Sequence, residues 1–152
     1  MASRARRGAS LHGTDRRRTE GESKGGQDER LRPVLTYIKG RHALSLDPRS
    51  FQAWNGLGNA RSILRDYAGA VDAYERALRA NPHSAVAWCN KAEALIRAGH
   101  TRAALDALNE ATELDSHYAR AWTLKADVYE TLGNMQEAQK CRKRAKPWGL
   151  AN

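Results

Sequence analysis

WNGLGNARSILRDYAGAVDAYERALRANP, residues 54–82, opens a pattern that returns twice at a constant interval. The second copy is WCNKAEALIRAGHTRAALDALNEATELDS (88–116), and the third is WTLKADVYETLGNMQEAQKCRKRAKPWGL (122–150). Downstream alanines keep the same interval: Ala70, Ala104 and Ala138, then Ala77, Ala111 and Ala145. A fixed period in this range is the mark of a repeat architecture in which each unit stacks on its neighbours.

The residues that recur resemble the tetratricopeptide repeat (TPR) family, whose pattern is W-x2-L-G-x2-Y, then A-x3-F, then P. The first copy carries Trp54, Leu57, Gly58, Ala70, Tyr74, Ala77 and Pro82 at those positions. In the later copies Ser116 and Leu150 stand at the proline position. The resemblance implies an all-α, right-handed superhelical solenoid of antiparallel helix pairs, with three TPR repeats at 51–84, 85–118 and 119–152.

Apolar periodicity and terminal signals predict a helix pair in each repeat. The predicted pairs are 51–64 with 67–80, 85–98 with 101–114, and 119–132 with 135–146. The predicted N-caps are Ser50, Asp66, Thr101 and Asn134, because short polar side chains accept bonds from the first turn. Gly99 and Gly133 suit helix C-termini, and Pro147 ends the last helix.

Residues 31–50 are interpreted as a half-repeat that caps the N-terminal end of the stack. A helix is predicted over 33–46, with Pro33 in its first turn. Its end, Ala43 to Pro48, resembles Ala77 to Pro82, which lies one full period further on. Terminal units need a cap of this kind because one of their faces has no neighbour.

Residues 1–30 form a basic tail with five apolar residues: Met1, Ala2, Ala5, Ala9 and Leu11. Such a composition cannot offset the conformational entropy of folding, so the tail is predicted to be disordered. Its arginines cluster at Arg4/Arg6/Arg7 and Arg16–Arg18. Three interpretations stay open: a solvated extension, an organelle transit peptide, and a tail that binds nucleic acid or an acidic partner.

The composition predicts one cytoplasmic domain. The net charge is +9, and the positive charge lies toward both ends of the chain. Two cysteines, Cys89 and Cys141, fall in different repeats, so no disulfide is expected and the count fits a reducing compartment. No stretch reaches the ~18 apolar residues of a membrane span, and the N-terminus has no apolar signal region.

No catalytic residues, cofactor or metal site are predicted. The sequence has no glycine-rich phosphate loop and no paired metal ligands. His83 and His117 occupy the same repeat position on successive turns, without further His or Cys ligands nearby. The three tryptophans, together with Leu57, Leu95 and Leu132, are interpreted as core. We expect Trp88→Ala to cost roughly 3–5 kcal/mol, as for other large core truncations.

The resemblance implies that the first helices line a concave groove for a peptide or a partner helix. The groove positions carried over are Gln52, Asn55, Asn59, Ser62, Val86, Cys89, Asn90, Glu93, Ile96, Arg97, Arg120, Thr123, Asp127 and Glu130. This groove is mixed and polar, and it becomes acidic toward the third repeat.

In the chaperone-binding subclass of the family, two Asn, two Lys and one Arg clamp a C-terminal carboxylate. Asn59 and Asn90 match that clamp, and Arg120 could replace one Lys. Asn55 and Leu124 stand at the remaining Lys and Arg positions. Charge-assisted pairing supplies much of the affinity of such a clamp, so clamp function is not expected.

The last predicted helix carries a basic patch of Lys140, Arg142, Lys143, Arg144 and Lys146. It is interpreted as the polar outer face of a C-terminal cap, or as a landing surface for an acidic partner or nucleic acid. The overall prediction is a non-enzymatic adaptor or scaffold, a monomer or a weak self-associating protein, that binds a protein or peptide. The alternatives are nucleic-acid or acidic-partner association through the basic ends, and a co-chaperone with a degraded clamp.

Overall fold

The computed structural model describes residues 28–146, and every regular element in this range is a helix. The chain divides into two units at Arg32/Pro33. In the first unit the described residues form a 3-10 turn, Glu29–Leu31, capped by the Asp28 carboxylate. Seven α-helices follow. They are α1 (Arg32–Leu46), α2 (Phe51–Ile63), α3 (Tyr67–Ala80), α4 (Ala85–Arg97), α5 (Thr101–Leu114), α6 (Ala119–Thr131) and α7 (Met135–Ala145).

The predicted helices are confirmed to within one residue at each end, and the helix pairs α2/α3, α4/α5 and α6/α7 form the three repeats. The pairs stack in order as an all-α solenoid, since α3 contacts α4 and α5 contacts α6. Residues 1–27 of the predicted tail lie outside the described residues. Pro147, where the last helix was predicted to end, lies outside them too.

Three of the four predicted N-caps are confirmed. The side chains of Ser50, Asp66 and Asn134 accept bonds from the backbone N–H three residues on. The prediction of Thr101 is wrong, because it is the first residue inside α5 and His100 occupies the cap without a side-chain bond. Asp66, His100 and Asn134 occupy the same position in successive repeats, so the register fixes the cap position even where the residue is a poor cap.

Each tight turn inside a repeat has the same backbone bond. The N–H of Asp66 donates to the carbonyl of Arg61 at 2.8 Å, as His100 does to Leu95 and Asn134 to Tyr129. This six-residue closure requires a left-handed residue just past the helix end. Gly99 and Gly133 supply it with φ of 85° and 80°. Arg65 takes the same position in the first repeat with φ of 64°, although it is not a glycine.

Small residues let the two helices of a repeat approach each other. A Cβ added at Gly58 would lie 2.5 Å from the ring of Tyr74, so the buried ring fills the space that a side chain would need. The same positions in the second repeat hold Ala92 and Leu108, both fully buried. In these two repeats, the larger side chain on the second helix therefore faces the smaller residue on the first helix.

The tryptophans are only partly core. Trp122 is buried, whereas Trp54 and Trp88 are half-buried. Each indole N–H donates to a carbonyl six residues earlier, on Pro48, Pro82 and Ser116 respectively, at 2.8, 2.9 and 2.9 Å. The side chains thus tie each first helix to the turn before it.

Leu57 and Leu95 are buried as expected, but the assignment of Leu132 to the core is wrong, because Leu132 is 41% exposed. It is the C-cap of α6.

Helix α1 packs against α2 through a glycine. A Cβ at Gly40 would lie 3.6 Å from both the Ala53 carbonyl oxygen and the Leu57 Cβ. Tyr37 lies beside Arg61 of α2, whose guanidinium carbon is 5.8 Å from the ring centroid. No residue of α1 is buried, so this helix contributes an outer layer rather than core.

Candidate functional site

A row of hydrogen-bonded polar side chains crosses the first helices of all three repeats. Asn59 on α2, Asn90 on α4 and Arg120 on α6 form it. The Asn90 amide donates to Asn59 Oδ1 at 3.5 Å, and Arg120 Nη1 donates to Asn90 Oδ1 at 2.9 Å. The three residues belong to different repeats, so the row exists only because successive repeats stack in register.

Asn59 is also held by the second helix of its own repeat. The Tyr74 hydroxyl donates to Asn59 Oδ1 at 2.7 Å. Burial, with a smaller contribution from the Glu93 carboxylate, raises the pKa of Tyr74 to about 12. The hydroxyl therefore stays a neutral donor at physiological pH, and it fixes the orientation of the Asn59 carboxamide.

Glu93 links the row to further arginines. Its carboxylate accepts from Arg120 and lies 3.7 Å from Arg97 Nη2 one turn further along α4. Arg120 is about half exposed, as is Arg97. One carboxylate thus faces two guanidinium groups that remain open to solvent.

These residues surround a cleft of about 450 Å³ at the junction of the first two repeats. Its lining is Asn59, Ser62, Ile63, Arg65, Tyr67, Tyr74, Asn90, Glu93, Arg97 and Arg120. Three arginines and one glutamate give this end of the groove a positive charge. The sequence-based groove did not include Arg65, Ile63, Tyr67 or Tyr74. The signal for Arg65 was available, since an arginine stands where the other repeats have glycine.

Several predicted groove residues lie away from this cleft. Cys89 is fully buried in the central core beside Leu108 and Ala121, and burial raises the pKa of its thiol. It is therefore a core residue, and its assignment to the groove surface is corrected. Asn55 is half-buried, and no described residue donates to its buried Oδ1. Gln52 is exposed, about two turns before the cleft residues of α2.

The acidic side chains predicted in the third repeat are paired. Arg142 Nη2 lies 2.6 Å from Glu130 Oε1 and 3.6 Å from Asp127 Oδ1. Arg142 occupies the position of Tyr74 and Leu108 in the earlier repeats. At this position the third repeat carries a cation that neutralises the carboxylates of α6. A second cleft of about 370 Å³, lined by Thr123, Asp127, Arg142, Ala145 and Lys146, lies here.

The predicted basic patch is divided among different contacts. Lys140 Nζ lies 2.5 Å from Glu137 Oε1, and this hydrogen bond raises the lysine pKa. The Arg144 guanidinium carbon lies 4.9 Å from the Trp122 ring centroid. Lys125 Nζ lies 4.8 Å from the same centroid. Lys143 and Lys146 are exposed. The five residues do not form one uncompensated basic surface.

Two absences hold within the part of the chain that the structure describes. Among residues 28–146, no three His, Cys, Asp or Glu residues come together in a way that could hold a metal ion. In the same range, no helix has the length and apolar character needed to cross a membrane.

Stacked antiparallel helix pairs with a polar row along their first helices define a helical-repeat scaffold of the protein-interaction class. Two family models, each described as tetratricopeptide repeat, match the sequence at residues 64–128 and 119–146. The chain is a member of the tetratricopeptide repeat family. Repeats of this family are typically non-catalytic modules that bind other proteins.

Solved structures show the same fold. A crystal structure of MamA aligns with a TM-score of 0.72 at 26% identity, over 74% of this chain and 66% of that chain. The chain therefore spans slightly less than two thirds of that protein's length. The first TPR of Spaghetti (RPAP3), bound to HSP90 peptide SRMEEVD, aligns with a TM-score of 0.62 at 25% identity, over 65% and 79% of the two chains. Comparison with curated proteins gives no match.

Proposed function

We propose that the chain is a non-catalytic adaptor whose concave groove binds an acidic, extended segment of a partner protein. The observation that carries the proposal is the Asn59–Asn90–Arg120 row, which lies in a cleft with three arginines and one glutamate. The row supplies directional hydrogen bonds and the arginines supply the charge.

The two kinds of side chain have separate tasks in this proposal. A carboxamide offers a donor and an acceptor, which matches the backbone amide of an extended peptide. Bidentate guanidinium–carboxylate bonds are stronger than neutral hydrogen bonds and they select acidic side chains. Glu93 and Asn90 hold the Arg120 guanidinium, so its orientation is fixed before an acidic ligand binds. Preorganisation of this kind lowers the entropic cost of binding.

Arg65 supports the selection of acidic ligands. A non-glycine residue in the left-handed region costs roughly 1 kcal/mol, and such residues persist where the site uses them. The first repeat keeps an arginine there, and its side chain lines the cleft. We infer that the positive charge at this position contributes to binding.

The similar RPAP3 structure holds the acidic peptide SRMEEVD, which makes this peptide a suitable probe. Binding of a fluorescein-labelled form is measured by anisotropy with the full chain. A dissociation constant below ~100 μM is expected, equivalent to about −5.5 kcal/mol. Arg97→Ala and Arg65→Gly are each expected to weaken binding at least threefold. Lys143→Ala is the matched control, because it removes an exposed cation outside the cleft and should leave binding unchanged.

Two altered peptides test the basis of recognition. Replacing the three acidic side chains by their amides is expected to weaken binding at least tenfold. Equal binding of the acid and amide forms would contradict the proposal. Amidation of the C-terminus is expected to have a small effect, because Asn55 and Leu124 replace two cations of the carboxylate clamp. A large loss on amidation would instead favour the co-chaperone alternative.

The nucleic-acid alternative receives less support from the described residues. In the basic patch of α7, Lys140 and Arg142 form ion pairs and Arg144 forms a cation–π contact. The arginine clusters of the tail lie outside the described range. Binding of labelled single-stranded DNA that falls steeply with salt, together with no peptide binding, would favour that alternative. We propose a cytoplasmic location, which the two free, buried cysteines support.

A further inference from the structure

Helix α1 presents large aliphatic side chains to solvent. Val34, Leu35 and Ile38 are 40%, 49% and 56% exposed. At about 100° per residue they fall within one sector of the helix, and Tyr37 and Gly40, which face α2, lie outside that sector. They form an outward apolar face, named here the α1 face.

Alignment of α1 with α3, α5 and α7, the second helices of the three repeats, shows that this face is specific to α1. At the same three repeat positions α3 has Ala68, Gly69 and Asp72, α5 has Arg102, Ala103 and Asp106, and α7 has Gln136, Glu137 and Lys140. In those helices the positions are small or polar, and all are exposed except Gly69 and Glu137, which are half-buried. Three aliphatic residues at solvent-facing positions of one helix alone indicate a surface that has a partner.

The α1 face does not correspond to the positions that the second helix of a repeat buries. The positions of Ala70 and Ala73, which are buried in α3, are buried in α5 and α7 too. In α1 these positions are Thr36 and Lys39, which are polar and exposed. The side of α1 that corresponds to buried positions in the repeats is thus polar, whereas the outward side is apolar.

Charge identifies the chemistry of the partner. Residues 32–46 contain Arg32, Lys39 and Arg41 and no Asp or Glu. At about 100° per residue, Lys39 and Arg41 lie on the two sides of the α1 face. Arg41 also donates to the Tyr37 hydroxyl at 3.5 Å. A short apolar stripe between cations is complementary to an amphipathic helix whose apolar stripe has acidic flanks.

Residues 1–27 offer no such segment. Residues 1–27 have seven Lys/Arg against three Asp/Glu and only five scattered apolar residues, so they repeat the charge of α1 and lack an apolar stripe. A second copy would place two acid-free helices against each other, and like charges repel. We propose that the α1 face docks an acidic amphipathic helix of a partner protein, on the outside of the stack and separately from the concave groove.

The probe is a fluorescein-labelled synthetic 18-residue peptide with leucines at i, i+3, i+4 and i+7 and glutamates flanking them. Anisotropy with the full chain is expected to show saturable binding below ~200 μM. Hydrogen exchange of the complex is expected to protect 34–42. The decisive variant is Val34→Arg/Leu35→Ala/Ile38→Asp, which introduces the residues of α5 at these positions and leaves the net charge unchanged. It should weaken binding at least tenfold.

Controls separate this site from the groove and from an effect on folding. The triple variant should keep the wild-type helical circular dichroism and melt within a few degrees of wild type, because the three side chains are exposed. Arg97→Ala, which acts in the groove, should leave binding of this peptide within twofold. A peptide with the same composition but dispersed leucines should bind at least tenfold more weakly, as should a lysine-for-glutamate version.

Four outcomes would overturn the proposal. The first is equal binding of the helical peptide to wild type and the triple variant, and the second is equal binding of the acidic and basic peptides. The third is self-association in sedimentation that the triple variant abolishes, since the occupant would then be a second copy. The fourth is sedimentation with phosphatidylserine vesicles that the triple variant abolishes, without peptide binding, which would assign the face to an anionic lipid surface.

Discussion

At the scale of single residues, the fit between Gly58 and Tyr74 makes the first repeat sensitive to one methyl group. Gly58→Ala places a Cβ within 2.5–2.9 Å of three ring atoms of a tyrosine that is 2% exposed. Overpacking of this kind costs about 1–3 kcal/mol, which exceeds the ~1 kcal/mol gained by replacing glycine in a helix. We expect a net loss of up to about 2 kcal/mol in chemical denaturation.

A second substitution tests the cause. Adding Tyr74→Leu to Gly58→Ala recreates the Ala92/Leu108 pair that the second repeat already packs. Stability should then recover relative to Gly58→Ala alone, and Tyr74→Leu in the Gly58 background should be destabilising. If the two changes were simply additive, the steric explanation would be wrong.

Ionisation of the Tyr74 hydroxyl is expected to lower the free energy of unfolding at alkaline pH. Its pKa is about 12 in the folded state, and the ordinary value is 10.0. Because the folded pKa is raised, the stabilisation is fully present below pH 10 and is lost as the pH rises toward 12. A difference of this size corresponds to at most about 3 kcal/mol.

Tyr74→Phe isolates this effect. At pH 8 the variant should be less stable by about 1 kcal/mol, because the hydroxyl no longer bonds Asn59. Between pH 10 and 12 wild type should lose more stability than the variant, so that the difference shrinks or reverses. Urea unfolding across this range measures it, and parallel curves would contradict the assignment.

At the scale of elements, the turn after α2 has a residue that adds a positive charge but lowers the stability of the turn. Arg65 has φ of 64° where the other two repeats have glycine. Arg65→Gly relieves the strain but enlarges the conformational freedom of the unfolded chain, so the net gain should be about 0.5–1 kcal/mol. The same variant should bind the acidic peptide more weakly. Increased stability together with unchanged peptide binding would remove Arg65 from the proposed site.

The elements themselves could be predicted because the repeat register presents the same terminal signals three times. The wrong cap at Thr101 came from weighing the residue type above the register, which places His100 beside Asp66 and Asn134. Burial of the tryptophans was harder to predict, because all three indoles donate the same backbone bond, yet Trp122 is buried and Trp54 and Trp88 are half-buried. Their sequence positions are identical to that of Trp122, so only packing separates them.

At the scale of the whole molecule, the candidate site depends on how successive repeats are rotated. The sequence places Asn59, Asn90 and Arg120 on first helices, but it does not set the distances between them. For the same reason Arg142 could not be assigned to Asp127 and Glu130 in advance. Its basic neighbours suggested a free patch, whereas the fold brings Arg142 to the carboxylates of α6.

Each helix contacts only its near neighbours along the stack, so disruption should spread according to position. Leu108 and Arg142 occupy the same repeat position, in the central and the last repeat. Leu108 is fully buried in the central core, and Leu108→Ala should cost about 2–5 kcal/mol and raise hydrogen exchange from α2 to α7. Arg142→Ala removes exposed ion pairs worth at most about 1 kcal/mol, and exchange should rise only in α6 and α7. A uniform rise after Arg142→Ala would mean that the repeats unfold as one unit.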